Sequence, residues 1–502
     1  MSTTKKLICI IGAGASGLTS IKQCIEEGFD VICYERSDNI GGLWRYRDEV
    51  IPGVASVAKT TLANTSKDIQ AFSDFPPPKN GPNFMDNTKQ CEYFEAYADY
   101  FHLKQYVKFN HEVVSVVYND DYNETGKWKV KVLEKTNNNT AVIVFDGVLV
   151  CIGHHVKPTI PKFLGLEKFK GKIVHSCEYK TWKGYEDKNV VVVGIGSSGA
   201  DIATEVSLVY ISSRSGAWVG GRVGTNGIPF DVLIDCRIIQ LILSLIPTNM
   251  LNTMLEYLFN SYFDHNLYGL KPKHRLLSQH LTINDSLAKC IITGAILVRP
   301  NIQEFTENGV IFEGMKEETK CDVLVLATGY ELSFSFLDSS IVSVVQNRVE
   351  AYKNVFLPHL KHPHTLGLIG LIQTTGPLFP LSEMQARWFA KLMNGKAKLP
   401  SKEEMLQAID NERKIREEFC DSPRHTLEVN FIKYMDEIAS FIGVKPKLWK
   451  YFFTDRQLWY ALIFGPSLPY QYRLEGPNKW SDARRNILEF DSRLKVPLRD
   501  NN

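Results

Sequence analysis

Two glycine-rich stretches of this chain have the spacing that binds the diphosphate of a dinucleotide. CIIGAGASG spans residues 9–17 and VVVGIGSSG spans residues 191–199, and each ends an apolar run with G-x-G-x-x-G. The glycines are Gly12, Gly14, Gly17, Gly194, Gly196 and Gly199. In this motif the first glycine makes a tight turn, the second lets the backbone approach a pyrophosphate, and the third lets a helix pack on its strand. Two copies predict two bound dinucleotides with hydride transfer between them.

The residue that ends the second strand of each unit predicts which dinucleotide binds there. Glu35 lies eighteen residues past Gly17, where a carboxylate binds ribose hydroxyls. The second unit carries Ser213 and Arg214 in the corresponding place. A carboxylate would repel a 2′-phosphate, whereas an arginine binds it, so the second site favours NADPH over NADH. The alternative for Arg214 is a solvated surface charge.

A further glycine turn follows Glu35. RSDNIGGLWRY at 36–46 places Gly41-Gly42 directly before Leu43 and Trp44. An acid followed by Gly-Gly is typical of flavoproteins of the glutathione-reductase type, which favours FAD in the first site. The spacing alone fits an ordinary surface turn equally well.

The apolar pattern predicts the elements that position these turns. A buried strand at 7–11, a helix from about 18 to 27 and a strand ending at 35 form one βαβ unit, and 189–214 forms a second. Alternating stretches between 100 and 155 predict antiparallel strands that return to a buried parallel strand at 147–152. Helical patterns cover 230–295 and most of the chain after 380. The fold class is therefore α/β, with two Rossmann-like dinucleotide-binding domains, one inserted in the other, a helical insertion and a helical C-terminal region.

Composition excludes several other classes of protein. The formal net charge is +2 and the basic residues are dispersed, so no nucleic-acid partner is expected. The ten cysteines include no C-x-x-C pair, which leaves neither a zinc site nor a dithiol redox motif and fits a reducing compartment. His154 and His155 are expected on opposite faces of one strand, where they cannot share a metal. The first fingerprint begins so early that no cleavable signal peptide is expected.

Membrane contact depends on one apolar segment. VLIDCRIIQLILSLIP at 232–247 is too short and too charged to span a bilayer. The longer stretch 230–262 fits either helices packed in the core or a segment that lies on a membrane and lines a substrate tunnel.

Residues between the two units carry a family resemblance. FKGKIVHSCEYK at 169–180 contains F-x-G-x-x-x-H-x-x-x-Y, the identifying spacing of the flavin-containing monooxygenases. NTSKDIQAFSDFP at 64–76, CIGHH at 151–155, LATGY at 326–330 and SLPYQYRLEGPNKW at 467–480 also resemble that family. The resemblance covers essentially the whole chain and is closest to the animal, microsomal-type members. It implies that His175 of the first motif is structural and not a catalytic base.

The resemblance implies binding residues for both cofactors, FAD and NADPH. The positions that match FAD contacts are Gly12, Ala13, Gly14, Ala15, Ser16, Gly17, Glu35, Gly42, Leu43, Trp44, Asn64, Thr65, Thr328 and Gln373. Those that match NADP contacts are Ala63, Gly194, Gly196, Ser198, Gly199, Ala200, Asp201, Ser213 and Arg214. Asn64 also matches the catalytic asparagine. Many members of the family have asparagine at the position of Ser197, and the shorter serine side chain is expected to bind NADP⁺ less tightly.

The reaction implied is NADPH- and O₂-dependent oxygenation of a small nucleophilic substrate, an amine or a sulfide, by a C4a-hydroperoxyflavin. Baeyer–Villiger oxygenation of ketones, uncoupled NADPH oxidation and a non-catalytic flavin-binding role remain alternatives. No metal is implied.

Domain limits and location follow from the same resemblance. The FAD-binding domain is expected at 1–160 plus 331–440, the NADPH-binding domain at 161–215 plus 296–330, the helical insertion at 216–295 and a C-terminal region at 441–502. Animal members usually carry a C-terminal membrane anchor, which the polar end RLKVPLRDNN does not resemble. The expected location is the cytoplasmic side of the endoplasmic reticulum membrane, held peripherally, or the cytoplasm, and a homodimer is left open.

Overall fold

Two five-stranded parallel sheets form the centre of the molecule. The computed structural model describes residues 5–374, 376–419 and 426–499. The first sheet has the order Leu366–Leu368, Gly147–Val150, Leu7–Ile11, Asp30–Tyr34 and Val107–Lys108. The second has the order Ile296–Arg299, Val209–Ser212, Val190–Val193, Val323–Leu326 and Lys172–His175. All neighbours in both sheets pair in parallel.

The two sheets are interleaved along the chain. Every strand of the second sheet lies between Gly147–Val150 and Leu366–Leu368, which pair with each other in the first sheet. The central strands of both sheets are valine- and isoleucine-rich and almost fully buried, as expected for parallel strands covered on both faces. This confirms the predicted α/β fold with two dinucleotide-binding units.

Smaller sheets flank these two. The predicted antiparallel excursion is confirmed as His111–Tyr118, Trp128–Glu134 and Asn139–Phe145. A second antiparallel sheet contains Ile302–Phe305, Gly309–Phe312 and Thr319–Lys320. Two-stranded pairs join Val219–Gly220 to Thr282–Ile283, Lys157–Pro158 to Tyr330–Glu331, and Val344–Val345 to Arg348–Val349.

The helices cover the sheets and fill the insertion and the C-terminal region. In the first half of the chain they are Ala15–Glu26, Asn87–Tyr100, Tyr122–Thr125 and Ser197–Glu205. The insertion contains Phe230–Ile234, Arg237–Ser244, Thr248–Tyr262 and Leu287–Ile292. The later helices are Phe379–Met393, Lys402–Phe419, Phe431–Phe441, Leu448–Thr454, Arg456–Phe464, Ala483–Leu488 and Phe490–Arg499. Within the described ranges, no helix is both long enough and apolar enough to cross a bilayer.

Two expectations about element boundaries were wrong. The first helix begins at Ala15 and not near residue 18, because the glycine turn itself forms the first helical turn and the Leu18 amide donates to the Gly14 carbonyl. The strand expected to reach 152 ends at Val150. His154 and His155 therefore lie in a loop, where their rings contact each other at 4.3 Å between centroids. The two side chains are thus not held on opposite faces of a strand.

Candidate active site

The first glycine turn is packed too tightly for any side chain. Gly12 has φ +98°, and a Cβ there would lie 2.8 Å from the Cys151 carbonyl oxygen. A Cβ on Gly17 would lie 1.8 Å from the Gly12 carbonyl oxygen. These contacts explain why the motif needs glycine at both ends, independently of any ligand.

The middle glycine is different, because the space around it is not filled by protein. A Cβ on Gly14 would meet nothing closer than the Gly42 Cα, at 3.5 Å. The first glycine turn therefore faces the Gly41-Gly42 turn. Gly14 is also the N-cap of the helix Ala15–Glu26, and no side chain caps its amides. Open amides at a helix N-terminus next to two bare backbones form a cradle that fits a diphosphate.

Glu35 holds this cradle together. One carboxylate oxygen accepts from the Ala13 amide at 2.8 Å, and the other accepts from the amide and hydroxyl of Ser37 at 2.8 and 2.7 Å. The side chain is buried. It therefore fixes the turn, while its contact with a ribose stays a prediction.

Three of the other residues matched to FAD, Ser16, Leu43 and Trp44, lie in or beside the same turn. Ser16 donates to the Ser382 hydroxyl, and Trp44 packs edge-on against Phe379 at 6.4 Å. The Leu43 carbonyl accepts from the Val57 amide at 3.0 Å. The 42–44 turn and the helix Phe379–Met393 therefore both lie against the first glycine turn.

Thr328 and Gln373 arrive from other segments. The Thr328 hydroxyl donates to the Thr159 carbonyl and so is engaged by protein. The Gln373 backbone forms hydrogen bonds with Leu427 and Val429 at 2.8 Å each. Its side-chain amide has no hydrogen-bond partner among the described residues. No described hydrogen bond joins either residue to the first glycine turn.

The second glycine turn repeats the pattern of the first. A Cβ on Gly194, whose φ is +107°, would lie 2.4 Å from the Ala327 carbonyl oxygen, and one on Gly199 would lie 2.1 Å from the Gly194 oxygen. Gly196 has nothing within 4 Å of its Cβ position and caps the helix Ser197–Glu205 without a side-chain bond. Ser198 lies beside it and is exposed, whereas Ala200 is fully buried. This turn also fits a diphosphate.

Arg214 is the residue that the sequence matches to the 2′-phosphate contact, and that contact stays a prediction. Its side chain is exposed, and within the described ranges it forms no ion pair. The Ser213 hydroxyl accepts from the Gly216 amide at 3.0 Å, which orders the turn below it. The sequence reasoning missed that Lys271 and Lys273 lie against this turn. The Lys273 amide donates to the Ser215 carbonyl at 3.1 Å, and the two exposed lysines add positive charge there.

One loop connects the two nucleotide-binding units. The Thr60 hydroxyl donates to Glu205, at the end of the second glycine helix, at 2.9 Å. The Lys59 amide donates to the Lys180 carbonyl at 2.8 Å, and the Lys180 ammonium donates to the Ser56 carbonyl at 3.1 Å. The segment that leads into Ala63, Asn64 and Thr65 therefore lies directly against the second unit.

Asn64 is held by an arginine that the sequence analysis did not single out. Arg222 donates to the Asn64 Oδ1 at 2.8 Å and to the Ala63 carbonyl at 3.2 Å. Its third guanidinium nitrogen, Nη1, donates to the Asp285 carboxylate at 2.7 Å. Arg222 lies about 160 residues after Asn64, and no motif spacing links the two.

Two further residues of the second glycine helix bind the insertion. The Ser197 hydroxyl accepts from the Ile283 amide at 3.2 Å. Asp201 accepts from Asn284 at 2.8 Å, and burial raises the pKa of Asp201 above its ordinary value although the Asn284 hydrogen bond lowers it. Serine at 197 thus has a structural role in this chain.

His175 lies between the two units. Its Nε2 lies 3.2 Å from the Gly329 carbonyl, its ring packs edge-on against Tyr330, and its Nδ1 lies 3.2 Å from the Cys177 sulfur. Burial lowers the pKa of His175, so it is neutral near pH 7. These contacts agree with the structural role that the resemblance implies.

Two parallel-sheet units that each carry an open glycine cradle define a protein that binds two dinucleotides. The chain belongs to the flavin-binding monooxygenase-like family, whose model matches residues 5–501. It is an NADPH-dependent flavin monooxygenase, and its cofactors are FAD and NADPH.

Individual relatives agree with this assignment. The chain is similar to flavin-containing monooxygenase 5 of Rattus norvegicus, with 46% identity over 98% of this chain and 93% of the relative. It is also similar to dimethylaniline monooxygenase [N-oxide-forming] 2 of Mus musculus, with 42% identity over the same shares. Among solved structures, S-allyl-L-cysteine S-oxygenase from Allium sativum shares the fold, with a TM-score of 0.66, 23% identity and coverage of 99% of both chains.

Proposed function

We propose that the protein transfers one oxygen atom from O₂ to soft nitrogen or sulfur nucleophiles of small molecules, with NADPH as the electron donor. The observation that carries the proposal is the segment 57–64. It contacts the first unit through Val57 and Leu43 and the second through Thr60 and Glu205, while the Asn64 side chain is exposed. FAD, when bound, supplies the two-electron chemistry that activates O₂. The chain's own residues bind and orient both cofactors and exclude water.

The positions matched by resemblance supply the two binding sites of this proposal. Residues 12–17, 35, 42–44, 64–65, 328 and 373 hold FAD, and residues 63, 194, 196, 198–201 and 213–214 hold NADPH. The proposed domain limits are 1–160 with 331–440 for FAD, 161–215 with 296–330 for NADPH, 216–295 for the insertion and 441–502 for the C-terminal region. The two open glycine cradles and the exposed Arg214 support this assignment.

Substitution of Asn64 tests the proposal. Asn64→Ala removes the exposed amide but leaves both glycine turns, so the variant keeps FAD and loses most, but not all, of its product formation. Benzyl methyl sulfide and NADPH are supplied to the purified holoenzyme, and sulfoxide, hydrogen peroxide and bound FAD are measured. The exposed Asn137→Ala serves as the matched control. Unchanged sulfoxide formation by Asn64→Ala would remove Asn64 from the site.

The same assay separates the alternatives. A ketone supplied in place of the sulfide and converted to an ester identifies Baeyer–Villiger chemistry. Hydrogen peroxide equal to the NADPH consumed identifies an oxidase. A flavin that NADPH does not reduce identifies a non-catalytic binding protein.

Peripheral membrane contact on the cytoplasmic side of the endoplasmic reticulum is the second part of the proposal. Leu241, Leu245 and Tyr257 of the insertion and Trp449 and Phe453 of the C-terminal region are all exposed by more than half. The Cys236 thiol donates to the Ile463 carbonyl at 3.2 Å, which places the helices Arg237–Ser244 and Arg456–Phe464 side by side. Exposed apolar patches of this kind favour an interface.

Vesicle binding tests this contact. Leu245→Glu with Trp449→Glu should reduce co-sedimentation with phosphatidylcholine–phosphatidylserine vesicles without loss of FAD. Wild-type protein that stays in the supernatant would contradict membrane contact. If light scattering shows a dimer and the two substitutions dissociate it, this surface is assigned to self-association instead.

A further inference from the structure

Four consecutive residues of the insertion contact the second glycine turn and the arginine that holds Asn64. The Thr282 hydroxyl donates to the Ile195 carbonyl at 2.6 Å, and the Ile283 amide donates to the Ser197 hydroxyl at 3.2 Å. Asn284 donates to Asp201 at 2.8 Å. Asp285 accepts from Arg222 through the backbone amide and the guanidinium, each at 2.7 Å.

Strand pairing fixes this register. Val219 pairs with Thr282 and Gly220 pairs with Ile283 in parallel. Because both strands run in the same direction, Arg222 and Asp285, which follow them, lie side by side. Asn284 is buried, and its side-chain oxygen accepts from the amides of Ser286 and Leu287, so its amide group has a single orientation. The segment 282–285 is thus a rigid link and not a free loop.

Arg222 determines which way the Asn64 amide points. A guanidinium only donates hydrogen bonds, so the group that faces it must be the Asn64 oxygen. The Asn64 nitrogen then points away from Arg222 and has no hydrogen-bond partner among the described residues. The site therefore offers a hydrogen-bond donor, and rotation of the amide by half a turn would place two donors against each other.

We propose that Arg222 and Asp285 are positioning residues of the oxygenation reaction, which orient the Asn64 amide and couple it through residues 282–285 to the NADP-binding turn. The proposal rests on the proposed function and adds how Asn64 is held. Arg222 is buried and bonded to four protein atoms, so it acts through Asn64 and does not need to touch the reacting atoms.

A double-mutant cycle tests this role. The assay measures sulfoxide formed per NADPH oxidised by FAD-loaded enzyme. Arg222→Gln should lower this ratio about tenfold, because an amide side chain cannot reach Asn64, Ala63 and Asp285 together and so cannot hold the Asn64 amide in one orientation. Arg222→Lys keeps the charge beside Asp285 and should restore part of the ratio. Adding Arg222→Gln to Asn64→Ala should cause no further loss.

Arg237 provides the matched control. It is also an arginine of the insertion paired with a carboxylate, Asp436, but its other contacts are Gln471 and Tyr472 and not Asn64. Arg237→Gln should leave the ratio unchanged in the folded fraction.

Several results would overturn the proposal. These are an unchanged ratio in Arg222→Gln, an equal fall in Arg237→Gln, or losses that multiply when Arg222→Gln and Asn64→Ala are combined. If the wild-type enzyme forms no oxygenated product, the proposed function fails first. If the wild-type enzyme and Arg222→Gln form product equally, only the positioning role fails.

Discussion

The two outer positions of a glycine turn and its middle position should respond in opposite ways to the same substitution. A Cβ on Gly199 would lie 2.1 Å from the Gly194 carbonyl oxygen, and the chain must open by roughly an ångström to restore ordinary contact. Overpacking of this kind costs roughly 1–3 kcal/mol or more. At about 1 °C per kcal/mol for a chain of 502 residues, Gly199→Ala should therefore lower the melting temperature by roughly 1–3 °C.

Gly196→Ala should leave the fold intact. Gly196 has φ −69° and nothing within 4 Å of its Cβ position, so alanine fits the protein. The N-cap penalty of alanine and the entropy it removes from the unfolded chain roughly cancel, within about 1 kcal/mol. The added methyl group does occupy the diphosphate cradle. Loss of one charge-assisted hydrogen bond there, about 1.5–3 kcal/mol, predicts a KM for NADPH raised roughly 10- to 100-fold.

Thermal unfolding of the holoenzyme and steady-state kinetics with NADPH measure both effects. Gly14→Ala provides the parallel test in the first turn, where the variant should fold but take up less FAD. An unchanged KM for NADPH in Gly196→Ala would refute the assignment of the second turn to the cofactor, and normal stability of Gly199→Ala would refute the packing argument.

Two further predictions concern charge. Arg214→Gln should raise the KM for NADPH roughly 10- to 100-fold and leave the KM for NADH unchanged. The reason is that a charge-assisted hydrogen bond to the 2′-phosphate contributes about 1.5–3 kcal/mol. Equal changes in KM for both coenzymes would contradict this. Burial raises the pKa of Glu27, but hydrogen bonds from Lys391, Lys396 and Asn394 hold it at about 2, below its ordinary value of 4.5. The stability that Glu27 contributes is therefore fully present above pH 4.5 and is lost as the pH falls towards 2. Lys391→Met should weaken this acid dependence in urea titrations between about pH 2 and 5, and a wild-type slope in that variant would assign it to other carboxylates.

Local patterns in the sequence predicted most of the fold, because the residues that form each βαβ unit are close together along the chain. An apolar run, three spaced glycines and a helix are neighbours along the chain, so both βαβ units are recognisable from the amino-acid sequence alone. The helix start was misplaced because the glycine turn is itself helical from Ala15. The histidine pair was misjudged because the strand ends at Val150 and the chain then turns.

The candidate site was predictable only in part. Glycine positions and Arg214 follow from motif chemistry, whereas the hold on Asn64 depends on Arg222 and Asp285, which only tertiary structure brings near it. The role of Ser197 was likewise hidden, because its partner is an amide of the insertion. Contacts between distant segments carry no spacing signal in a single sequence.

Isotope labelling of the product tests the central claim most directly. The FAD-loaded protein is given NADPH, benzyl methyl sulfide and ¹⁸O₂, and the sulfoxide is analysed by mass spectrometry against the NADPH consumed. The account predicts one labelled oxygen atom in each sulfoxide and close to one sulfoxide for each NADPH. Unlabelled sulfoxide, or NADPH consumed with no sulfoxide formed, would contradict it.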